Sequence, residues 1–273
     1  MPATDLRPLD PELCASADLL NLGAGTGKWI RQEAKRLGLE RPLGIELNRG
    51  KVARAQEQGL PVYQGNFMEL DPHAFPSVKV VVFDNVLEHL PSLEAVEAAF
   101  GRACAIASHV VHVRHPSFEH ADYLASLGLK QYWTDWPGVH TAPVRLAEFD
   151  DMAARHGVER VEVQPLKRAF DSDDPTILPA SAPPGQRKAE RGPGEYGAYD
   201  AALHGPKPHV AFDRPVYFAY DIFFFFVSAD GPAVEYHVDT DAEVARAFLV
   251  WPGERVARRG RRLPFGSARR AQR

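Results

Sequence analysis

Three glycines at alternate positions, Gly23, Gly25 and Gly27, separate a short apolar run from a segment with helical spacing. The run ADLLNL (17–22) is typical of a buried strand, and residues 28–38 have the apolar period of an amphipathic helix. Glycine lets a backbone turn sharply and lets a ligand approach it closely, and a helix N-terminus supplies free amide donors. This order predicts a strand–loop–helix unit that binds a polar ligand at its loop.

The remainder of the first half repeats this order. Short apolar runs predict strands, and longer segments with a 3.6-residue period predict helices. The further predicted strands are 42–47, 61–66, 78–85 and 107–115, and the further predicted helices are 50–59 and 91–104. This alternation predicts a doubly wound α/β fold in which a mainly parallel sheet carries helices on both faces.

The second half of the chain is less regular. An aromatic-rich connection (116–144) and a Pro/Gly-rich stretch (167–215) are interpreted as insertions, because long structureless segments are uncommon inside a domain. The other predicted elements are a helix (143–157), a strand (158–166), a final strand (214–229) and a short helix (242–250). We therefore expect a single domain over residues 1–253 with its core at 17–166.

Arginines concentrate at the end of the sequence. Residues 254–273 hold eight Arg and one Glu, so the rest of the chain is more acidic than its net charge of -4 indicates. An acidic domain is a poor binder of the nucleic-acid backbone. Contact with nucleic acid is therefore expected, if at all, only through this tail, which we predict to be disordered.

Composition also bears on the cellular compartment. Two cysteines, Cys14 and Cys104, allow neither a disulfide framework nor a cysteine-based metal site, which suits a reducing environment. The first residues lack the apolar region of a signal peptide. The longest strongly apolar run, 222–227, is far shorter than the roughly 20 residues of a membrane-spanning helix. We expect a cytoplasmic protein without a membrane partner.

The glycine spacing distinguishes between two classes of nucleotide ligand. A dinucleotide-binding loop has the pattern G-x-G-x-x-G, whereas Gly27 is the fifth residue here and Lys28 the sixth. Glu46 ends the second predicted strand, where a carboxylate can accept hydrogen bonds from both hydroxyls of a ribose. The pattern favours a single nucleoside, which leaves an NAD(P)-dependent oxidoreductase as a less favoured alternative.

Four segments, LNLGAGTG (20–27), GIEL (44–47), QGNF (64–67) and DNVLEHL (84–90), resemble the motifs of class I S-adenosylmethionine-dependent methyltransferases. The likeness is strongest to type-11-like domains and covers residues 17 to about 165. It implies a Rossmann-like, seven-stranded sheet with an antiparallel last strand, and S-adenosylmethionine as cofactor. The cofactor-binding residues that it implies are Asn21, Gly23, Ala24, Gly25, Gly27, Glu46, Leu47, Asn66, Phe67, Asp84 and Asn85.

The same resemblance assigns roles along the cofactor. The glycine loop faces its methionine part, and Glu46 holds its ribose. Asn66 contacts the adenine amino group, with Phe67 beside the ring. Asp84, Asn85 and Val86 line the floor near the methyl group.

Three positions depart from that family's pattern. Asn21, Asn66 and Lys79 stand where the family usually has acidic residues. Asn66 can still accept a hydrogen bond from the adenine amine through its carbonyl oxygen. Asn21 can hydrogen-bond a cofactor amine but supplies no charge. These departures motivate a second alternative, a non-catalytic nucleoside-binding or interaction protein.

Histidines cluster around the predicted fifth strand. Alternation along a strand places His109 and His115 on one face and His112 on the other. Because metal ligands must converge, this arrangement disfavours a metal site and we predict none. His115 lies at the carboxyl end of its strand, where open α/β sheets bind ligands. With His140 and Asp84, it is a candidate general base.

Two further features lie near these residues. Tyr132, Trp133 and Trp136 form either a wall of an acceptor pocket or a lid packed on the core. His89 is expected to pack against or cap the helix that follows it.

These patterns predict an S-adenosylmethionine-dependent methyltransferase that acts on a small-molecule acceptor by direct displacement. A sulfonium is already a good leaving group, so alignment and proximity supply much of the catalysis. A general base is needed only for an acceptor that is protonated at neutral pH. We expect a monomer or a homodimer.

Overall fold

The computed structural model describes residues 6–136, 138–185, 201–226, 232–239, 244–251 and 269–270. The helices in these ranges are α1 (Pro11–Ser16), α2 (Ile30–Arg36), α3 (Arg49–Glu57), α4 (Leu93–Ile106), α5 (Ala121–Ser126), α6 (Leu146–Arg155) and α7 (Ala201–His204). The strands are β1 (Leu19–Leu22), β2 (Pro42–Glu46), β3 (Val62–Gln64), β4 (Val80–Asp84), β5 (Val110–Pro116), β6 (Leu129–Gln131), β7 (Arg160–Asp171), β8 (Ile177–Pro179), β9 (Ala211–Phe225), β10 (Ala233–Asp239), β11 (Val244–Val250) and β12 (Arg269–Arg270).

The main sheet has the strand order β12-β7-β9-β5-β4-β1-β2-β3. Five neighbouring strands of this sheet run parallel, namely β5, β4, β1, β2 and β3. Strand β9 lies between β5 and β7 and is antiparallel to both. Seven of these strands form the Rossmann-like arrangement that the sequence predicts, with the last long strand reversed. The eighth, β12, contributes only two residues at the edge beside β7.

Strands β1, β2, β4 and β5 are largely buried on both faces, whereas β7 is mostly half-buried or exposed. Along β1, Leu20 belongs to a large core cluster with α4 and α6, whereas Leu19 belongs to a smaller cluster with α2. The phenylalanines of β9 divide in the same way. Phe224 faces α4 and α6, and Phe223 and Phe225 face α2. The absence of alternation in the sequence of β9 thus reflects burial on both faces.

The prediction of a helix over residues 242–250 is wrong. Residues 244–250 form β11, which pairs antiparallel with β10. A short apolar segment fits both the 3.6-residue period of a helix and the two-residue period of a strand, and hydrogen bonding to a neighbouring strand decides between them. The chain after β11 packs on the end of α2, where Trp251 donates its indole N–H to the carbonyl of Leu37 at 2.8 Å. Lys79 Nζ lies 5.0 Å from the centroid of the Trp251 ring, so the lysine that replaces the family's acidic residue packs on this tryptophan.

The two segments interpreted as irregular insertions contain regular structure. Within 116–144, α5 and β6 form, and within 167–215, β7 continues to Asp171 and β8 follows. Strands β6 and β8 pair antiparallel as a small second sheet. A separate apolar cluster supports it; its fully buried members include Leu124, Leu129, Ile177 and Val216. Each strand is only three residues long, which is too short for a period to be visible in sequence.

Two expectations fall partly outside the described ranges. Within those ranges no helix is long and apolar enough to cross a membrane. Of the tail at 254–273, the structure describes only Arg269 and Arg270, which pair with Val161 and Arg160 of β7. Residues 227–229 of the predicted final strand and most of the tail are not among the described residues.

Candidate functional site

The glycine loop connects β1 to α2 with three residues in the left-handed region. Gly23, Gly25 and Gly27 have φ values of 77°, 59° and 67°, which side chains with a Cβ rarely adopt. The loop is anchored to β2, because the amides of Gly23 and Ala24 both donate to the carbonyl of Ile45, at 2.9 and 3.0 Å. A Cβ on Gly23 would lie 2.1 Å from Val86 Cγ2. The loop is therefore fitted closely against the chain after β4.

Gly25, in contrast, faces open space. A Cβ added there would meet no atom within 4 Å, although the backbone on either side is packed. The Gly25 amide donates to Glu46 Oε2 at 2.8 Å, and the Asn48 amide donates to Glu46 Oε1 at 2.8 Å. A carboxylate has about four acceptor sites, so Glu46 keeps roughly half of them for a ligand. The loop and Glu46 thus border one opening at the ends of β1 and β2.

The residues predicted to surround an adenine ring lie in different environments. Leu47 is 67% exposed, a large apolar side chain with room to cover a ring. Phe67 is half-buried and contacts Phe83 edge-on at 5.9 Å. Asn66 caps a short 3-10 helix, where its side chain accepts from the Met68 amide and donates to Glu69 at 2.8 Å. Its oxygen keeps one acceptor site for an adenine amine.

Asn21 is buried on β1 with an unpartnered oxygen. The residue is 7% exposed, and its Oδ1 atom has no hydrogen-bond partner. A buried acceptor without a partner costs about 1–3 kcal/mol, which a ligand amine would offset. The amino group of S-adenosylmethionine is the kind of donor that would satisfy this atom.

Asp84 and Asn85 end β4 beside the loop. Asn85 has a positive φ of 52° and donates its side-chain amide to Asp84 Oδ1 at 2.9 Å. Burial raises the pKa of Asp84, and the charge of Arg114 partly opposes this. The following residue, Val86, is the one that contacts Gly23. The predicted floor of the site therefore does adjoin the glycine loop.

His115 is buried rather than open to an acceptor. It is 2% exposed and lies between Phe118 and Phe149, with ring centroids 5.5 and 5.3 Å away. Neither ring nitrogen forms a hydrogen bond, although Nδ1 lies 3.4 Å from Glu88 Oε2. His115 is therefore enclosed, with Glu88 as an acidic neighbour.

His140 lies on the loop before α6, and its ring lies beside the ring of His89. Its Nδ1 lies 2.8 Å from the carbonyl of Trp133, its ring stacks on Trp136 at 5.0 Å, and burial lowers its pKa. The His89 ring is 5.0 Å from the His140 ring. The capping alternative for His89 is wrong, because Ser92 accepts from the Ala95 amide in that role, whereas packing of His89 against α4 stays a prediction.

The predicted distribution of the other histidines holds in part. His112 lies on the α2 face of β5, opposite His115. His109 does not share a face with His115, because it precedes the strand and its ring contacts Trp251 on the α2 side. Strand alternation does not extend to a residue outside the strand.

The aromatic residues of the 116–144 segment have separate roles. Trp133 is 2% exposed and donates its indole N–H to the carbonyl of Ser117 at 3.0 Å, so it belongs to the core. Trp136 is less buried and covers His140. Tyr132 contacts both tryptophans edge-on or tilted, at 4.8 and 5.7 Å.

A buried ionic network beneath Asp84 is absent from the sequence-based expectations. Asp221 of β9 accepts two hydrogen bonds from Arg114, at 2.9 and 3.1 Å, and one from His112 at 3.0 Å. Glu33 and Arg36 of α2 complete the network. Burial alone would raise the pKa of Glu33, but His112 and Arg36 hold it at about 2. One charged residue inside the apolar run of β9, Asp221, is the signal that could have indicated it.

Comparison with known proteins supports the fold. No protein-family model and no curated protein matches the sequence. Among solved structures, a SAM-dependent methyltransferase from Archaeoglobus fulgidus is similar at a TM-score of 0.50 and 13% identity, over 78% of this chain and 88% of that one. A SAM-dependent methyltransferase from Thermotoga maritima has a TM-score of 0.46 and 15% identity, over 80% and 88% of the two chains. Magnesium protoporphyrin IX methyltransferase from Synechocystis PCC 6803, with bound SAH, has a TM-score of 0.42 and 13% identity, over 56% and 68%. The strand order and the Archaeoglobus likeness give this chain the Rossmann-like fold of class I SAM-dependent methyltransferases.

Proposed function

We propose that the protein is an S-adenosylmethionine-dependent methyltransferase that acts on a small molecule. The observation that carries the proposal is the opening bordered by Gly25 and Glu46. There, a buried carboxylate with free acceptor sites lies beside an open glycine surface. A nucleoside needs these groups, and the loop is one residue too short for a dinucleotide.

The residues of the chain would bind and align the reactants. Glu46 accepts from the ribose hydroxyls, Leu47 covers the adenine, and Asn21 accepts from the amino group. When bound, S-adenosylmethionine supplies an electrophilic methyl group, whose carbon bonds to the acceptor atom as the carbon–sulfur bond breaks with its electron pair going to sulfur. Alignment of the acceptor with this methyl group supplies much of the rate enhancement.

Asp84 is the candidate that takes a proton from the acceptor. Its pKa is raised by burial, which makes its carboxylate a stronger base than an exposed aspartate. His140, kept neutral by burial, is the second candidate. His115 is a weaker one, because it is enclosed by Phe118 and Phe149.

The acceptor is proposed to be small and the protein to work in the cytoplasm. Outside its arginine-rich tail the chain is acidic, which disfavours wholesale binding of a nucleic-acid backbone. We propose that it is a monomer or a homodimer, and that any nucleic-acid contact is confined to the tail.

Calorimetry tests the cofactor assignment directly. The full chain should bind S-adenosylmethionine and not NADH, and Glu46→Gln should weaken binding at least tenfold, because hydrogen bonds to a charged group contribute about 1.5–3 kcal/mol. The matched control is Glu57→Gln at the end of α3, away from the loop, with thermal melting to confirm folding. No binding of S-adenosylmethionine by the wild-type chain would refute the proposal.

A binding protein without turnover is the second candidate function. It is favoured by Asn66, whose amide is already engaged by Met68 and Glu69, and by the lack of charge at Asn21. Transfer of a labelled methyl group to any acceptor in a metabolite extract excludes it. Binding without transfer to any fraction supports it.

A further inference from the structure

A carboxylate and two imidazoles converge where the chain leaves β4. Glu88, His89 and His140 each present a ligand atom, and these three atoms lie within 4.8 Å of one another. Glu88 and His89 belong to the 3-10 helix Leu87–His89, and His140 comes from the loop before α6. The backbone joins the two segments, because the amides of Thr141 and Ala142 both donate to the Glu88 carbonyl. His89 and Val139, which are 50 positions apart in sequence, are also held together by a contact between the His89 ring and the Val139 carbonyl.

The two histidines are oriented in the way that metal ligands usually are. His89 Nδ1 lies 2.8 Å from the Val139 carbonyl, and His140 Nδ1 lies 2.8 Å from the Trp133 carbonyl. A carbonyl only accepts, so each Nδ1 carries its proton and each Nε2 keeps a lone pair. A ligating histidine typically donates its other ring N–H to a backbone carbonyl or carboxylate in this manner.

Unpartnered atoms beside the cluster form an independent observation. Glu88 is 1% exposed and its Oε2 atom has no hydrogen-bond partner. Burying a carboxylate without partners is costly, and such groups are usually paired or bind a metal. The neighbouring His115 lies 3.4 Å from this oxygen and also has both ring nitrogens unpartnered. The other oxygen of Glu88, Oε1, lies 3.9 Å from His89 Nε2, so a cation held between Glu88 and the two histidines would balance the buried charge.

We propose that Glu88, His89 and His140 form a binding site for a divalent transition-metal ion such as Zn²⁺. Imidazole with carboxylate suits zinc, manganese, iron and cobalt better than magnesium or calcium. Around a tetrahedral ion, metal–ligand bonds of about 2.0–2.2 Å place the ligand atoms about 3.3–3.6 Å apart. The three ligand atoms lie within 4.8 Å of one another, so they would move closer by up to about 1.5 Å on binding the ion.

Three protein ligands leave coordination positions open for an acceptor. The site lies directly after Val86, which contacts the glycine loop at Gly23, so it adjoins the proposed cofactor position. An oxygen or nitrogen atom of the acceptor bound there would be oriented and, if protonated, acidified by the metal. This role rests on the proposed methyltransferase function, whereas the metal binding does not.

Metal titration of the chelator-treated full chain tests the site without any turnover. Zn²⁺ should bind at one site by calorimetry, and Co²⁺ should give visible absorption bands of a site with nitrogen ligands. His89→Ala, His140→Ala and Glu88→Gln should each weaken Zn²⁺ binding at least tenfold. The matched control is His209→Ala, because His209 pairs with the carboxylate of Asp173 on the surface at 2.9 Å. This variant should bind Zn²⁺ like the wild type.

Folding does not obscure the result. The His89 side chain is 42% exposed, so its replacement should leave the melting temperature without metal nearly unchanged. Wild-type affinity in His89→Ala, or no Zn²⁺ or Co²⁺ binding by the wild-type chain, would overturn the inference. S-adenosylmethionine binding is measured on the same samples. If it persists while the metal does not bind, only the metal site is refuted, and the reverse result refutes only the proposed function.

Discussion

Two buried histidines on β5, three residues apart, lie on opposite faces of the sheet and differ in every polar contact. His112 is fully buried on the α2 face, with its ring nitrogens 3.0 Å from Asp221 and 3.3 Å from Glu33. His115 is 2% exposed on the other face, and neither of its nitrogens forms a hydrogen bond. Sequence alternation places them correctly but gives no indication of this difference.

The difference distinguishes a histidine whose ring nitrogens have partners within the fold from one whose ring nitrogens have none there. A buried polar group with all its partners stabilises the structure, whereas each unpartnered one costs about 1–3 kcal/mol. The His112 network joins α2, β5 and β9 beneath Asp84. The His115 side includes Glu88, whose Oε2 is also unpartnered. We infer that the His112 ring is satisfied within the folded chain and that His115 and Glu88 receive their missing partners from a ligand.

The same substitution should destabilise the fold much more at position 112 than at position 115. His112→Leu should lower the free energy of unfolding by about 3–5 kcal/mol, because it removes the imidazole between the buried carboxylates of Glu33 and Asp221 and leaves them only the arginines of the network. His115→Leu should lower it by less than about 1.5 kcal/mol, because it removes two unpartnered nitrogens and keeps a similar volume. Urea denaturation of both variants measures the difference. Equal losses would show that His115 is as fully integrated in the fold as His112.

Acid should weaken the buried ionic network around Glu33 over a defined range of pH. The folded-state pKa of Glu33 is about 2, against 4.5 for a free side chain. A depressed carboxyl pKa stabilises the fold above the unfolded value, and the contribution is lost as pH falls from about 4.5 to about 2. It amounts to at most about 3 kcal/mol for this shift. In urea titrations, the free energy of unfolding of Glu33→Gln should therefore approach that of the wild type as the pH falls through this range. A constant difference would contradict the assignment.

Much of the fold was predictable because local patterns and global structure agree. The strand before Gly23, the helix after Gly27 and the alternation up to β5 all follow from apolar period and turn residues. The strand order then follows from the family resemblance. The short strands β6 and β8 were missed because each is three residues long and its partner is distant in sequence. Residues 244–250 were missed because a short apolar segment carries no clear period, although their partner β10 comes just before them in the chain.

The candidate site was predictable only where it is local. The glycine loop and Glu46 occur at a readable spacing, and the structure joins them by one hydrogen bond. Glu88 and His140 have no spacing rule, because a loop entering from beyond β5 brings them together. Asp221 and Glu33 are likewise united only by the packing of α2 on β9. Contacts of this kind depend on tertiary structure, so a single sequence does not reveal them.

Two glycines with a positive φ both face open space, but only one of them is bonded to Glu46, and their replacement should have the smallest effect on stability. Gly25 and Gly59 have φ values of 59° and 67°, and a Cβ on either would meet no atom within 4 Å. Replacing either with alanine should cost about 1 kcal/mol from backbone conformation alone. Gly25→Ala should in addition weaken S-adenosylmethionine binding at least tenfold, because its methyl group would occupy the opening beside Glu46, whereas Gly59→Ala, at the end of α3, should bind normally. Calorimetry on both variants decides the matter: if they bind alike, the open space at Gly25 is not where the ligand lies.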